Sequence, residues 1–411
     1  MKTKHNKTIK GKDIVIMGIQ PWDIEIGSNC KNIASLFAKD NRVLYVNPPL
    51  DRITRIKGRK GQKVRKRIAI SKGQEPDLVK IDENLWNLYP KDQIESINWI
   101  GSRAIFRKLN YRNSKKLANN IQSALARLGF RDFILFNDSS MFLGRHMKKL
   151  LQPTQYTYYM RDFLIQVPYW KRHGSYMEPE LMREVDLILN NSSYYTAYSS
   201  RFNQNSVMVG QGCDLDLFDD HDNTIKVPAD LQEIEGPCIG YVGSLTTLRL
   251  DMGIIEHIAV ERPDWNVVLV GPEDQDFQNS SLHNLSNVHF LGNKDSELLP
   301  AYIKGFDVAM NPQVINQITI GNYPRKIDEY LALGKPVVAT QTQAMQMFDQ
   351  YVYLGSSKED YIGLIEQALN DHSVTTKNKR IDFAKSHTWE NNVRAIYTAI
   401  DSAQTKELSW G

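Results

Sequence analysis

The chain has 411 residues, 41% of them hydrophobic and 24% charged, the balance of a globular protein with enough apolar material for two domains, and not of a disordered or fibrous one. A formal net charge of +4 leaves no global bias that a polyanionic or polycationic partner would have to explain. Three cysteines without paired spacing, Cys30, Cys213 and Cys238, argue against a disulfide framework and against a zinc site, and point to a reducing compartment.

Met1 to Lys12 is polar and basic, and the apolar run Ile14–Ile19 behind it is too short for a signal-peptide core, so it reads as a first strand, Asp13–Gly18. A loop over 19–29 leads into a helix, Cys30–Lys39, and a strand, Arg42–Val46, closed by Asn47-Pro48-Pro49. A basic insertion follows at about 51–75; within it, Arg52 to Lys72 holds ten Lys or Arg and no Asp or Glu. Further strands are expected at Phe133–Phe136, Gln155–Tyr159, Leu187–Asn190 and Val207–Val209. Residues 221–236 are polar and aperiodic, with Pro228, and read as a linker. The second half then repeats the opening of the first. A strand at Cys238–Gly243, a helix near Met252–Val260 and a strand at Asn266–Val270 make a βαβ unit, and strands are expected at Val288–Leu291, Asp307–Asn311 and Lys335–Thr340. Short runs rich in Val, Ile and Leu that alternate with helices predict parallel, doubly wound sheets.

The expected organisation is thus an N-terminal Rossmann-like domain, 1–220, a linker, 221–236, and a C-terminal Rossmann-like domain, 237–387. A closing helix in 388–411 is expected to return to the first domain. No run of 18 apolar residues is present, so no membrane span is expected.

The segment richest in chemistry is Asn322-Tyr323-Pro324-Arg325-Lys326-Ile327-Asp328-Glu329-Tyr330 and its continuation to Thr340. Pro324 is expected in the first turn of a helix that runs to Leu333, with Gly334 as its stop. Arg325 and Lys326 then lie where free backbone N–H groups and the helix dipole already favour an anion. Glu329 follows one turn deeper on the same side. Two positive charges at a helix start are locally unfavourable, and a bound diphosphate would explain them; a carboxylate one turn on could accept hydrogen bonds from ribose. Ordinary surface ion pairs from Arg325 and Lys326 to Glu329 would explain the same residues.

This segment resembles the donor-binding signature of retaining GT-B glycosyltransferases of sequence family 4, the glycosyl transferases group 1, over about 18 consecutive residues. The resemblance implies a GT-B fold, two facing Rossmann-like domains with a cleft between them, and a nucleotide-sugar donor held mainly by the second domain. It places a lysine on the donor diphosphate and a glutamate on the ribose, roles that fall on Lys326 and Glu329. The family often carries another glutamate eight residues before the ribose one, where this chain has Gly321. Gly240-Tyr241-Val242-Gly243-Ser244 resembles the opening of the family's donor domain, with Gly243 and Ser244 bringing backbone N–H groups to phosphate. Arg249 is the nearest candidate for a further phosphate ligand, Tyr323 and Pro324 flank the donor helix, and Leu291-Gly292 resembles the region that holds the base. Tyr158–Asp162, Asp186–Asn190 with Ser192-Ser193, and Gly210–Phe218 resemble first-domain segments of the same family. Trp22-Asp23, Asn47-Pro48-Pro49 and the Asp162 region bring it nearest to the bacterial teichuronic-acid-biosynthesis type.

The chemistry implied is a metal-independent, retaining transfer of a sugar to a polysaccharide-precursor or lipid-linked acceptor. Lys326 and Arg325 would stabilise the charge developing on the leaving diphosphate, and Asp162 would orient the acceptor hydroxyl or the donor sugar. Gly27 and Ser28, in the loop after the first strand, are donor-side candidates, although a Gly-Ser pair before a helix also serves as a cap. Asp162 paired to Arg161 or Arg172, and His173 in a loop, are the plainer readings of those residues. Asp214-Leu215-Asp216 is formally an Asp-x-Asp, but it falls in the linker-entry motif, so no metal is assigned. No cofactor is expected beyond the donor. Nucleotide-sugar epimerisation and non-catalytic nucleotide-sugar binding are the alternatives.

The basic run reads either as a mobile solvated loop or as a contact with an anionic membrane surface. Trp99-Ile100, Ile105-Phe106 and Leu109, interleaved with Arg103, Arg107 and Lys108, could form an interfacial amphipathic helix beside it. The location expected is cytoplasmic, with that peripheral contact as its sharper form. No aromatic platform accompanies the run, so a nucleic-acid partner is not expected.

Overall fold

The computed structural model describes residues 9–24, 28–220 and 222–408, the last three of these by backbone alone. The chain forms two compact units, one of residues 1–210 with 389–411 and one of residues 211–388.

The first unit is built on eight strands: β1 (Asp13–Gly18), β2 (Arg42–Val46), β3 (Leu78–Asp82), β4 (Leu85–Leu88), β5 (Ile134–Asp138), β6 (Gln155–Met160), β7 (Leu187–Asn190) and β8 (Ser206–Met208). Their order is β3-β4-β2-β1-β5-β6-β7-β8. All neighbours are parallel except β3 and β4, which pair antiparallel at one edge. These two strands went unforeseen because β3 is half polar and only partly buried, a pattern that edge strands carry. Central β1 is buried at every residue, as a strand covered on both faces must be.

Helix Asn29–Phe37 follows β1, capped by Ser28, whose side chain accepts from the Lys31 N–H. The last helix, Trp389–Leu408, belongs to this unit. It lays Ile396, Tyr397 and Ile400 into the apolar layer behind β1 and stacks Tyr397 on Phe37 at 5.0 Å.

The basic run is not a loop. It forms two helices, Arg52–Lys57 and Gln62–Ser71, the first capped by the Asp51 side chain. Lys and Arg are good helix formers. The break between the helices falls at Gly58, where a Cβ would stand 2.8 Å from the Thr54 carbonyl. The expected interfacial helix is also corrected. Helix Arg103–Leu128 starts after Trp99-Ile100, and Phe106 is fully buried, stacked on His173 at 3.6 Å. The apolar residues Phe106 and Leu109 thus serve the core, while Trp99 and Ile105 stay exposed. His173 lies inside helix Pro168–Glu184, not in a loop, because its ring fills the space over Phe106 and its Nε2 meets the Ile100 carbonyl at 2.8 Å.

The second unit has six parallel strands: β9 (Cys238–Val242), β10 (Asn266–Val270), β11 (Val288–Gly292), β12 (Val308–Asn311), β13 (Val337–Thr340) and β14 (Tyr353–Gly355). Their order is β11-β10-β9-β12-β13-β14. The order reverses between β9 and β12, so the crevice for a ligand falls beyond their carboxyl ends. Gly240 sits mid-strand because the Phe306 ring occupies its side-chain position: a Cβ there would lie 2.2 Å from the ring. The stretch expected as a plain linker contains a short helix, Ala229–Gln232, whose Leu231 is buried.

Candidate functional site

The switch point of the second unit opens into a cavity of about 330 Å³, lined by Tyr241, Gly243, Arg249, Asn311, Asn322, Tyr323, Pro324, Arg325, Lys326 and Glu329 among others. The helix beneath it, Arg325–Ala332, buries Ile327, Tyr330 and Leu331 completely. That apolar face anchors it, and Tyr330 fastens it further by accepting the Val242 N–H at the end of β9 at 3.0 Å. Lys326 and Glu329, three residues apart, are left on the side that faces the cavity. Pro324 is the residue before the helix rather than part of its first turn, with φ −86° and ψ 86°; its ring occupies the cap position, where an N–H would have no helical partner in any case.

Lys326 is held in an unusual way for a helix-start lysine. Its ammonium donates to the Tyr241 hydroxyl and lies 4.1 Å from the centroid of that ring, a cation–π contact. Among the described residues no carboxylate stands within ion-pair distance of it. The Glu329 carboxylate is instead 3.7 Å from Arg325, with side chains 19% and 46% exposed. Burial pushes the Glu329 carboxyl up, and the Arg325 and Lys326 charges pull it partly back.

Glycines shape the end of the cavity beside Lys326. Gly243 has φ +140°, and a Cβ there would come within 2.8 Å of the Lys326 Nζ. Its N–H is held by the Val270 carbonyl at 2.9 Å. Gly271 packs on it so closely that a Cβ would lie 2.0 Å from the Gly243 carbonyl oxygen. Gly292 works through its backbone, its carbonyl accepting the Gly271 N–H at 2.9 Å; it is not among the lining residues. Ser244 is exposed just outside the cavity, its carbonyl accepting from Tyr241 at 3.4 Å. Arg249 reaches the lining from the loop after β9, whose backbone pairs with the segment after β12 through Leu250 and Gln313. Gly321 is buried in that second loop. The loop is braced by the fully buried Thr319, whose hydroxyl accepts the Asn316 N–H at 3.0 Å.

Sequence reasoning missed a polar cluster behind the site helix. Tyr323 lines the cavity, but its hydroxyl donates to Asp328 at 2.6 Å. The same fully buried carboxylate meets His387 at 2.7 Å and the Cys213 thiol at 3.3 Å. The cluster fixes the approach to the helix. Its members lie far apart in the chain, so no local pattern could have joined them. Tyr241 had a readable signal, its place between Gly240 and Gly243, and was still passed over.

In the first unit, Asp162 follows β6 and is 47% exposed, 3.9 Å from Arg161. Arg161 gives its main bonds to the fully buried Asp138, at 2.6 and 2.9 Å. Ser28 is spent as a helix cap and as a donor to Gln20 at 2.6 Å; Gly27 lies outside the described residues. The carboxyl ends of β1, β2 and β5 border a second cavity of about 270 Å³, walled by Phe142, Tyr169 and Trp170, with Asp51, Asn98 and Asn113 among its polar lining. No helix among the described residues is long and apolar enough to cross a membrane.

Two Rossmann-like units with a cationic helix start at the second unit's switch point define the GT-B class of fold. HepE of Anabaena, solved with UDP, superposes with a TM-score of 0.65 over 95% of this chain and 100% of its own, at 13% identity. Sucrose-phosphate synthase of Thermosynechococcus elongatus gives 0.62 over 97% and 99%, at 16% identity. At such identities the likeness is one of fold.

Residues 236–371 match the family described as Glycosyl transferases group 1, and the second unit therefore carries a domain of that glycosyltransferase family. The chain is also 33% identical over 181 residues to TuaH of Bacillus subtilis (strain 168), named as a teichuronic acid biosynthesis glycosyltransferase. The match takes in 41% of this chain and 45% of TuaH, less than half of that relative's length.

Proposed function

We propose that the chain is a glycosyltransferase that takes a sugar from a nucleotide-sugar donor bound at the start of helix Arg325–Ala332. The observation that carries this reading is Lys326, an ammonium fixed by Tyr241 over the cavity with no carboxylate partner among the described residues. A diphosphate there would meet Lys326, Arg325 and the free N–H groups of the helix start. As the bond from the sugar's C1 to the phosphate oxygen breaks, its electron pair passes to the β-phosphate, where those cations stabilise it. The acceptor oxygen forms the new bond to C1, and its proton passes to the released β-phosphate oxygen. Two cationic side chains supply the charge stabilisation that a metal supplies elsewhere, which supports a metal-independent reaction. Retention of configuration rests on the family. Glu329 is the ribose ligand in this reading, and Asp162 the group that orients the acceptor hydroxyl.

The aromatic and amide walls of the first unit's cavity suit a sugar-bearing acceptor. The basic helices favour presenting it from an anionic membrane. Ile53 and Ile56 are exposed among the basic residues of helix Arg52–Lys57. Of these basic groups, Arg52 and Arg67 pair with Glu95 and Asp23, Arg55 donates to Gln93 and Lys66 lies over the Tyr89 ring. A basic residue that turns to anionic lipid would contribute about 1 kcal/mol. Flotation with anionic vesicles, absent with neutral ones, is the expected result.

Melting temperature against a panel of UDP-, GDP-, ADP-, CMP- and dTDP-sugars tests the donor site. UDP leads the panel because HepE was solved with it. One nucleotide is expected to raise the melting temperature selectively, since a ligand that binds only the folded state stabilises it by mass action. No shift with any member would overturn the reading.

A further inference from the structure

We infer that the first unit's cavity is a specificity pocket for an uncharged terminal sugar of the acceptor, read by Asn110 and Ser140, and that a phosphate or carboxylate of the acceptor stays outside it. The inference rests on the proposed reading of this cavity as the acceptor site.

The cavity stands where a doubly wound sheet takes its ligand. The strand order of the first unit reverses between β1 and β5, and Gly18 at the end of β1 and Ser140 after β5 both line the cavity. Its volume of about 270 Å³ lies below the range of about 300–1,000 Å³ for pockets that take drug-sized ligands, and suits one sugar ring.

The amide donors of its wall are spent, and acceptors remain. Asn110, 1% exposed on helix Arg103–Leu128, gives its amide N–H to the Phe142 carbonyl at 2.7 Å, and its side-chain oxygen has no partner among the described residues. Asn113 is engaged at both ends by the Glu95 backbone, at 3.0 and 2.9 Å. Ser140, 7% exposed, is tied to the Asn137 amide through its backbone, and its hydroxyl has no partner among the described residues either. The Asn98 amide nitrogen is sealed in protein, whereas the Asn110 oxygen and the Ser140 hydroxyl are open to the cavity. An acceptor oxygen left without a donor in so buried a place is costly, and a sugar hydroxyl supplies the donor.

The charge on the wall has the same consequence. Asp51 and Glu95 are lining residues, and no Lys or Arg is. Glu95 is neutralised by Arg52, which holds both its oxygens at 2.7 Å. Asp51 is held instead by the Ser96 and Thr54 hydroxyls and the Thr54 N–H. Burial pushes its carboxyl up, but these hydrogen bonds hold it below the ordinary aspartate value, so it stays a negative charge on the wall. A carboxylate or phosphate would meet that charge without a lining cation to answer it, and would bring no donor for Asn110. A neutral ring brings hydroxyls, and its C–H face has an aromatic surface to lie on: Tyr169, 63% exposed, stands edge-on to Trp170 at 4.8 Å, and Trp170 lies 5.3 Å from Phe142.

The test is saturation-transfer NMR with methyl glucoside, methyl N-acetylglucosaminide and methyl glucuronide on the wild type, Ser140→Ala and Asn110→Ala. The two neutral glycosides are expected to bind the wild type, and the glucuronide at least roughly tenfold more weakly. Ser140→Ala removes a hydroxyl that bonds nothing in the fold, so it is expected to melt as the wild type does while binding the neutral glycosides several-fold more weakly. Its result decides the matter if Asn110→Ala, which also loses the bond to Phe142, does not fold. Glucuronide bound as tightly as glucoside would overturn the inference and leave the cavity as an acceptor site. Neutral glycosides bound equally well by the wild type and Ser140→Ala would overturn it too, because they would then sit elsewhere. No saturation transfer to any glycoside would overturn both the inference and the acceptor reading of this cavity, while the donor site stands or falls on the nucleotide panel alone.

Discussion

The Lys326 ammonium rests over the Tyr241 ring, 4.1 Å from its centroid, and donates to that residue's hydroxyl. Tyr241 is 2% exposed, so Phe would fill the same space and keep the ring while removing the hydrogen-bond acceptor. Tyr241→Phe is expected to fold normally and to lose roughly tenfold in kcat/KM, because Lys326 is then less well fixed. Lys326→Ala is expected to lose on the order of 10² to 10³ in kcat, the usual effect of removing a preorganised charge from a leaving group. Steady-state kinetics on both variants check this. An unchanged Lys326→Ala enzyme would remove the diphosphate assignment.

Gly243→Ala should disturb the same spot from the backbone side. The position needs φ +140°, and the added methyl would press on the Lys326 Nζ at 2.8 Å. The end of a lysine can move, so the fold should survive with a loss of about 1–3 kcal/mol from the backbone conformation. Donor affinity should fall with it. Thermal unfolding with and without nucleotide separates the two effects; a variant of wild-type stability and affinity would show that the loop has no such constraint.

Much of the site's frame was readable because it is local. The helix after Pro324, its stop at Gly334 and the placing of Lys326 and Glu329 three apart all follow from neighbours in sequence. The buried strands β1, β9 and β10 were equally legible, since continuous apolar runs between turn residues leave few options. What escaped was either weakly patterned or non-local. Edge strand β3 is too polar to stand out and β4, with four residues, too short, and the basic run looked like a loop because helix propensity in charged stretches leaves no apolar period. The Asp328–Tyr323–His387–Cys213 cluster joins residues up to 174 positions apart, taking 387 less 213, and only the folded chain brings them together.

Glu329 offers a test through pH. Burial raises its carboxyl above the ordinary glutamate value of 4.5. If its charged form accepts the ribose hydroxyls, donor KM should rise as pH falls through that raised value, where the carboxylate gains a proton and becomes a poorer acceptor. Glu329→Gln should raise donor KM roughly tenfold at neutral pH, with kcat less affected, and should flatten this limb of the pH profile. A variant whose donor KM keeps the wild-type pH dependence would move the ribose contact to another residue.

Glu178 makes a prediction about stability alone. It is fully buried in the first unit, and the Tyr158 hydroxyl donates to its Oε1 at 2.6 Å while its Oε2 has no partner. Burial raises its carboxyl from 4.5 to about 7. The folded state therefore keeps a proton that the unfolded state gives up. Its stabilising contribution is complete below pH 4.5 and is lost as pH rises through about 7. The loss is on the order of 3 kcal/mol. His146 acts in the opposite sense. Burial lowers it from 6.5 to about 4, so its part of the stability grows over that range as pH rises. The clean measurement is the difference between wild type and Glu178→Gln, in which the His146 contribution cancels. That difference should shift in the variant's favour from pH 5 to pH 8, measured by denaturant unfolding at fixed ionic strength. A difference constant with pH would show that Glu178 is ionised throughout, with its charge compensated inside the fold.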